Sequence, residues 1–267
     1  MRALLLAAGL GTRLKPLTDE WPKCLMPIAA RPLLEYWLSN FQAMGIPKVL
    51  VNTSYHSNIV QNFLARPQFS NWVGWVYESR LLGTAGTLVA NLDFFRGHTT
   101  LLVHADNWCQ CDFSEFVNYH FFKRQANCPI TMMTFKTDSP QECGILETDS
   151  NGVVVALHEK VAKPPGNLAN AAVYLLQPEV IEWLGTHPHL SDFSNEVLPQ
   201  FIGRIATWHN SGIHRDIGTF NSLRAAQDDP LPSLCWAEKD DWQRNFESTQ
   251  IFKNLMSKLL AQKEHDE

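Results

Sequence analysis

The chain has 267 residues, 45% of them hydrophobic and 18% charged, a composition that collapses into a folded body and excludes a disordered one. Its formal charge is −5, with a pI near 6.1, so it offers no basic footprint to duplex nucleic acid or to an anionic membrane. Any anionic ligand must therefore meet a local cationic pocket. Six cysteines, with no C-x-x-C pair and no histidines clustered at zinc spacing, read as reduced thiols.

The apolar run over residues 3–8 carries one flanking charge and leads straight into Gly-Leu-Gly-Thr-Arg, which reads as a first strand and its turn rather than a secretory leader. No stretch reaches the ~18 apolar residues of a membrane span, so the expectation is a soluble, cytoplasmic protein without a membrane or nucleic-acid partner. After the turn, Pro32-Leu33-Leu34 opens a helix whose Leu34, Trp37, Leu38 and Phe41 share a face, closed by Gly45. A strand over 48–52, a helix over 58–65, a strand over 72–77, a helix after Thr84 and a strand over 99–104 follow. This β-α-β-α-β alternation predicts a doubly wound, mostly parallel, Rossmann-like α/β sheet, with ligands beyond the carboxyl ends of its strands.

Further along, the pattern predicts a helix over 112–124 and a strand over 130–135. A small antiparallel portion comes next, as a hairpin of 144–147 with 153–159 turning at Asn151-Gly152. A strand over 171–176, helices from Pro178 and Ser194, a strand over 205–208 and a helix after Thr219 complete a domain spanning 1–228. Residues 229–235 carry two prolines and read as a linker. Residues 238–262 read as one amphipathic helix, so that 229–267 form a linker and helical tail.

The segment from Leu6 to Thr18, followed by Pro22-Lys23, carries most of the chemistry. Glycines just after a first strand let backbone N–H groups approach a phosphate or base, and Arg13 with Lys23 can neutralise phosphate oxygens. It is no P-loop, lacking Gly-Lys-Ser/Thr, and Leu14 stands where a dinucleotide fingerprint needs a small residue. The spacing G-x-G-T-R-x-x-P-L-T with the later P-K resembles the signature of the sugar-1-phosphate nucleotidyltransferases, with mannose-1-phosphate guanylyltransferase-like members the nearest in kind. Five further matches follow in family order. They are Leu82 to Gly86, Ala105-Asp106, Glu159-Lys160, Asn170 to Tyr174, and Asp216 to Thr219.

The resemblance implies transfer of a nucleotidyl group from an NTP to a sugar-1-phosphate, both small-molecule substrates, with Mg²⁺ as cofactor and a homodimer as one assembly open to it. It implies nucleotide binding by Leu6, Ala8, Gly9, Gly11, Thr12, Arg13, Glu78, Gly83 and Thr84, with Arg13 and Lys23 catalytic. Asp106 and Asp216 are its metal ligands, and Gly144, Glu159, Lys160 and Asn170 hold the sugar phosphate. Glu78, able only to accept, suits the adjacent N1–H and N2–H donors of guanine, which points to GTP with mannose-1-phosphate or a related manno-sugar. The alternatives are uridylyl or thymidylyl transfer to another sugar phosphate, or a non-catalytic NDP-sugar-binding subunit. Cys24, Val161, Ala105 and Ala172 depart from the usual residues of the pattern, the last two replacing glycines. His104 and His158 read as satisfied strand histidines, since a sugar phosphate is already ionised and needs no base.

Overall fold

The computed structural model describes residues 1–236 and 239–260. In chain order, β1 (Arg2–Leu6) leads through short 3-10 turns to β2 (Pro27–Ile28) and β3 (Arg31–Pro32), then to α1 (Leu33–Ala43), β4 (Val49–Thr53), α2 (Ser57–Leu64) and β5 (Val73–Tyr77). The short helices α3 (Thr84–Ala90) and α4 (Leu92–Phe95) precede β6 (Thr100–His104), β7 (Asn107–Gln110), α5 (Phe113–Asn118), β8 (Ile130–Lys136), β9 (Gly144–Thr148), β10 (Val154–Glu159) and β11 (Leu168–Leu176). Last come α6 (Pro178–Gly185), β12 (Ile205–His209), β13 (Ile213–Asp216), α7 (Phe220–Asp228), α8 (Asp241–Ser248) and α9 (Gln250–Leu260). This is an α/β fold with a mixed sheet, as the alternation of strand and helix signals predicts, and it carries the expected small antiparallel portion.

The chain forms two compact units. One holds residues 1–5, 80–104 and 111–214, and the other 6–79, 105–110 and 215 onward. In the first, β11 runs antiparallel to β6, β8 and β9, while β12 adds to β8 in parallel. Its Val173, Tyr174, Leu175 and Leu176 and the facing Leu101, Leu102 and Val103 are all fully buried, so this strand pair forms the middle of that core. In the second unit, β4 and β5 pair in parallel from Val49–Val73 to Thr53–Tyr77. Helix α1 buries Leu33, Leu34, Trp37, Leu38 and Phe41, the face its spacing announces, and Trp37 donates its indole N–H to the Asn107 carbonyl at 2.8 Å.

Four local expectations are revised. The helix over 112–124 begins as α5, capped by the Asp112 carboxylate on the Glu115 N–H, and then widens into a π-helical turn over 119–123. The hairpin turn is longer than two residues, because the Asp149 carboxylate accepts the N–H groups of both Asn151 and Val153 and wraps the chain around itself. The helix from Ser194 is a π turn followed by a 3-10 turn. The tail is two helices, α8 and α9, divided at Thr249, whose hydroxyl accepts the Phe252 N–H. Glu238, Ala261 and Gln262 of the expected single helix lie outside the described residues.

The π turn places a titratable group in the core. His120 is fully buried, its Nδ1 2.7 Å from the Thr131 hydroxyl and its Nε2 2.7 Å from the Gln177 amide nitrogen. An amide nitrogen can only donate, so Nε2 accepts and the ring is the neutral Nδ1–H tautomer. Burial, helped by the nearby Arg124, pushes its pKa down to about 3. Between about pH 6.5 and 3 the unfolded chain takes up a proton that the folded chain refuses, so stability falls as the pH falls across that window, by up to ~1.4 kcal/mol per unit. Urea unfolding at stepped pH should show this slope, and His120→Gln, which cannot titrate, should flatten it. An unchanged slope in the variant would clear His120 of the effect.

Candidate functional site

The turns after β1, the segment 105–110 and the end of β13, all in the second unit, gather four of the charged residues singled out in the sequence. Lys23 sits in a 3-10 turn, with its side chain only 7% exposed, and its ammonium lies 2.6 Å from Asp106 Oδ2 and 2.9 Å from Asp216 Oδ1. Arg13 Nη2 reaches the other oxygen, Asp216 Oδ2, at 2.8 Å. Four residues spread from 13 to 216 thus form one cluster of two cations and two carboxylates. Its rim is open: the side chains of Arg13, Asp106 and Asp216 are 60%, 37% and 45% exposed.

The electrostatics follow from this geometry. Burial alone would pull the Lys23 pKa down, but Asp106 and Asp216 outweigh it and hold the ammonium above its ordinary value. Burial would likewise raise Asp216, and Lys23 and Arg13 overcome that and keep its carboxyl below the usual range. Both shifts favour the charged forms of Lys23 and Asp216 at neutral pH. Cys24, next to Lys23, is buried and its thiol is pushed up to about 12, which makes it an inert packing group.

Two supports hold these groups. The Ile217 N–H donates to the Asp106 carbonyl at 3.2 Å, fixing the backbone beside one carboxylate to the backbone beside the other. Gly218, within the late motif, lies against the Arg13–Asp216 pair. A Cβ there would stand 2.5 Å from Arg13 Nη2 and 2.9 Å from both Asp216 oxygens, so a side chain at this position would push the ends of that pair aside.

The turn itself is anchored from below. Asn52, near the end of β4, accepts the N–H groups of Ala7 and Ala8 on its Oδ1 at 2.7 and 3.3 Å, and its Nδ2 donates to Glu78 Oε1 at 3.0 Å. Glu78 is 5% exposed. Asn52 was absent from the expected site residues. The signal that could have found it is a lone amide in the apolar run Val49-Leu50-Val51, because a buried amide has to be hydrogen-bonded to something. Beyond the carboxyl ends of these two strands lies a cavity of about 460 Å³, lined by Leu10, Ser54, Tyr55, His56 and Tyr77 among others.

The remaining expected residues lie in the first unit, in two groups. Gly83, at φ +84°, has the Ser191 carbonyl where a Cβ would meet it at 2.4 Å, and the same carbonyl accepts the Ala85 and Gly86 N–H groups. Thr84 accepts the Phe193 N–H at 2.7 Å. The glycine at 83 is thus explained by the 191–193 loop. In the second group Gly144 and Glu159 are register partners, and a Cβ on Gly144 would lie 2.5 Å from Glu159 Oε2. Lys160, at φ +49°, follows with its ammonium 3.8 Å from Glu159.

Asn170 is braced at both ends of its amide, with Nδ2 donating to the Tyr174 hydroxyl at 2.7 Å and Oδ1 accepting the Ala172 N–H at 2.9 Å. Ala172 adopts φ +53°, a left-handed conformation that explains why the pattern favours glycine at this position. His158 pairs with Glu147 at 2.7 Å, so this strand histidine is satisfied as expected. Among the described residues no helix is long and apolar enough to cross a membrane.

Comparison with known proteins adds the following. A mannose-1-phosphate guanylyltransferase from Mycobacterium tuberculosis is 29% identical over 222 residues, covering 81% of this chain and 61% of the relative. A glucose-1-phosphate adenylyltransferase from Thermotoga maritima is 28% identical over 246 residues, covering 82% and 58%. The chain thus spans about three fifths of the length of these curated relatives. A Bacillus anthracis structure solved in complex with a sucrose superposes with a TM-score of 0.75 at 22% identity, covering 87% of this chain and 98% of that one. HddC from Yersinia pseudotuberculosis, solved with GMP-PN, superposes with a TM-score of 0.70 at 22% identity, covering 85% and 98%. These likenesses carry the fold. A family model described as nucleotidyl transferase matches residues 2–231, and the chain belongs to that family.

Proposed function

We propose that the protein transfers a nucleotidyl group from an NTP to a sugar-1-phosphate, releasing pyrophosphate and an NDP-sugar, with GTP and mannose-1-phosphate or another manno-configured sugar phosphate as its substrates. The observation that carries the reading is the cluster in which Lys23 bridges Asp106 and Asp216 while Arg13 holds the far side of Asp216. A sugar-phosphate oxygen forms the new bond to the α-phosphorus, and the bond to the bridging oxygen breaks, its electron pair leaving with pyrophosphate. No protein nucleophile and no base are required, so the work is positioning and charge neutralisation.

The residues divide that work. Arg13, on an exposed rim, suits the leaving β- and γ-phosphates, and Lys23 suits the α-phosphate. Both cations are already oriented by the carboxylates before any ligand enters. Asp106 and Asp216 fit a hard divalent cation, because Mg²⁺ is held by one or two carboxylates with phosphate oxygens completing its shell, and the two carboxylates present here converge on a single cation. When bound, Mg²⁺ would neutralise developing charge on the triphosphate. In the first unit, Glu159 and Asn170 offer a carboxyl acceptor and a braced amide to sugar hydroxyls, and Lys160 offers its ammonium to the sugar phosphate.

Glu78 favours guanine, whose two adjacent donors match a carboxylate that can only accept. The cavity beyond β4 and β5 is of a size to take a nucleoside, and the M. tuberculosis relative's name points the same way. Pyrophosphate release over a matrix of GTP, ATP, UTP and dTTP against mannose- and glucose-1-phosphate tests the reading. The expected result is a kcat/KM for GTP at least ~10-fold above that for UTP. A preference for UTP or ATP would overturn the base assignment, and no release with any pair would overturn the reaction class.

A further inference from the structure

We infer that the 191–196 loop holds the nucleotide-binding turn and the sugar-reading amide of the first unit in one shared arrangement, and that Glu196, which closes this loop, is a positioning residue for both substrates. The inference rests on the reading of Gly83, Thr84 and Asn170 as binding residues. Toward the turn at 83–86 the loop makes three bonds. The Ser191 carbonyl accepts the Ala85 and Gly86 N–H groups at 2.9 and 3.2 Å, and the Phe193 N–H donates to the Thr84 hydroxyl at 2.7 Å. Toward Asn170 the connection runs through Tyr174, which is fully buried. Its hydroxyl accepts from Asn170 Nδ2 at 2.7 Å and also hydrogen-bonds the Ser194 side chain, and its ring packs on Phe193 with centroids 5.0 Å apart.

Glu196 fixes the loop between these two attachments. A single oxygen, Oε2, accepts the N–H groups of Ser191 and Asp192 at 2.6 and 2.7 Å and the Ser191 hydroxyl at 3.2 Å. These donors, the Asp192 N–H foremost, hold the carboxyl below its ordinary range. The Asp192 N–H and the Ser191 carbonyl belong to one planar trans peptide and point in opposite directions. The carboxylate that takes the N–H therefore aims the carbonyl at Ala85 and Gly86. Without it that peptide is free to turn, and Phe193 and Ser194, the next two residues along, lose their fixed approach to Thr84 and Tyr174.

The test compares wild type, Glu196→Ala and Glu196→Gln, whose amide oxygen still accepts, by amide hydrogen exchange of the free protein and by steady-state kinetics with GTP and mannose-1-phosphate. Exchange at Ala85, Gly86 and Ala172, the last of which donates to Asn170 Oδ1, should quicken together by ~10-fold or more in Glu196→Ala and stay close to wild type in Glu196→Gln. Unchanged exchange at 85–86 or at 172 overturns the inference, whatever the substrates prove to be. In pyrophosphate release, Glu196→Ala should raise the KM for both substrates by ~10-fold, with Glu196→Gln restoring both. A lowered kcat with unmoved KM values, as a loss of active protein would give, overturns the positioning role. Quickened exchange at both places with unmoved kinetics removes the reading of Gly83, Thr84 and Asn170 as binding residues, and the inference with it. Tyr174→Phe, which cuts only the branch to Asn170, should raise the KM for the sugar phosphate alone, and an equal rise for GTP overturns the division of the loop between the two groups. If Glu196→Ala fails to fold, Glu196→Asp, which withdraws the carboxylate by one methylene, decides by the same measurements.

Discussion

Asp106→Asn and Asp216→Asn are each expected to lower pyrophosphate release by ~100-fold or more at saturating substrates, the loss of several kcal/mol of transition-state charge stabilisation. Lys23→Met should fall as far in activity and yet differ in one measurable respect. In the folded protein Lys23 holds both carboxylates, at 2.6 and 2.9 Å, and so occupies the place a divalent cation would take. Removing it takes away the cation between the two carboxylates and leaves Arg13 on the far side of Asp216, and the protein alone should then bind Mn²⁺, used as a spectroscopic substitute, ~10-fold or more tightly than wild type, as read by the loss of free Mn²⁺ signal in electron paramagnetic resonance. Equal or weaker Mn²⁺ binding by Lys23→Met would show that these carboxylates do not form a cation site.

Glu35→Leu is expected to destabilise the fold by ~3–5 kcal/mol. Glu35 lies inside α1 with no exposed surface, and its two oxygens are shared among Arg31 at 2.7 Å, Arg66 at 2.8 Å and the Trp236 indole at 2.7 Å. Arg66 is 4% exposed, lies over the rings of Phe63, Phe69 and Trp242, and also meets Asp240 at 2.6 Å. Deleting the glutamate strands a buried guanidinium with only part of its compensation. Urea unfolding should register the loss as a lower midpoint, and Glu35→Leu/Arg66→Met should recover a good part of it, because the most deeply buried guanidinium left short of its carboxylate is then gone as well. A double variant worse than the sum of its singles would mean that packing, not charge, is what the pair supplies.

Strand and helix alternation was legible from β1 to β6, apart from the two-residue β2 and β3, because the longer elements carry their own pattern, as in α1, where the four apolar residues read at helical spacing are all buried. The short strands β7 and β13 were not, since four residues such as Asn107-Trp108-Cys109-Gln110 hold no period to read. Arg13, Lys23, Asp106 and Asp216 could be singled out by residue type and motif, but their convergence in one cluster could not, because a spacing along the chain contains no distance in space. Asn52 and Gly218 were missed as supports for the same reason. Each acts on a partner 26 to 203 positions from the residues it serves, or makes room for such a partner.

The tail also bears on the turn that presents Lys23. Phe246 of α8 stacks on Trp21 with ring centroids 4.5 Å apart, and Trp21 stands two residues before Lys23 and donates its indole N–H to the Leu25 carbonyl at 2.8 Å. Gln243, fully buried on the same helix, donates to the Ala30 carbonyl, a few residues beyond that turn. The segment that presents Lys23 is therefore clamped from behind by residues more than 200 positions later in the chain. A protein trimmed at the end of α7 would keep every charged residue of the cluster and lose the wall behind it. Shortening of the C-terminus is thus a route by which this charged cluster would lose its rigidity while its composition stays intact.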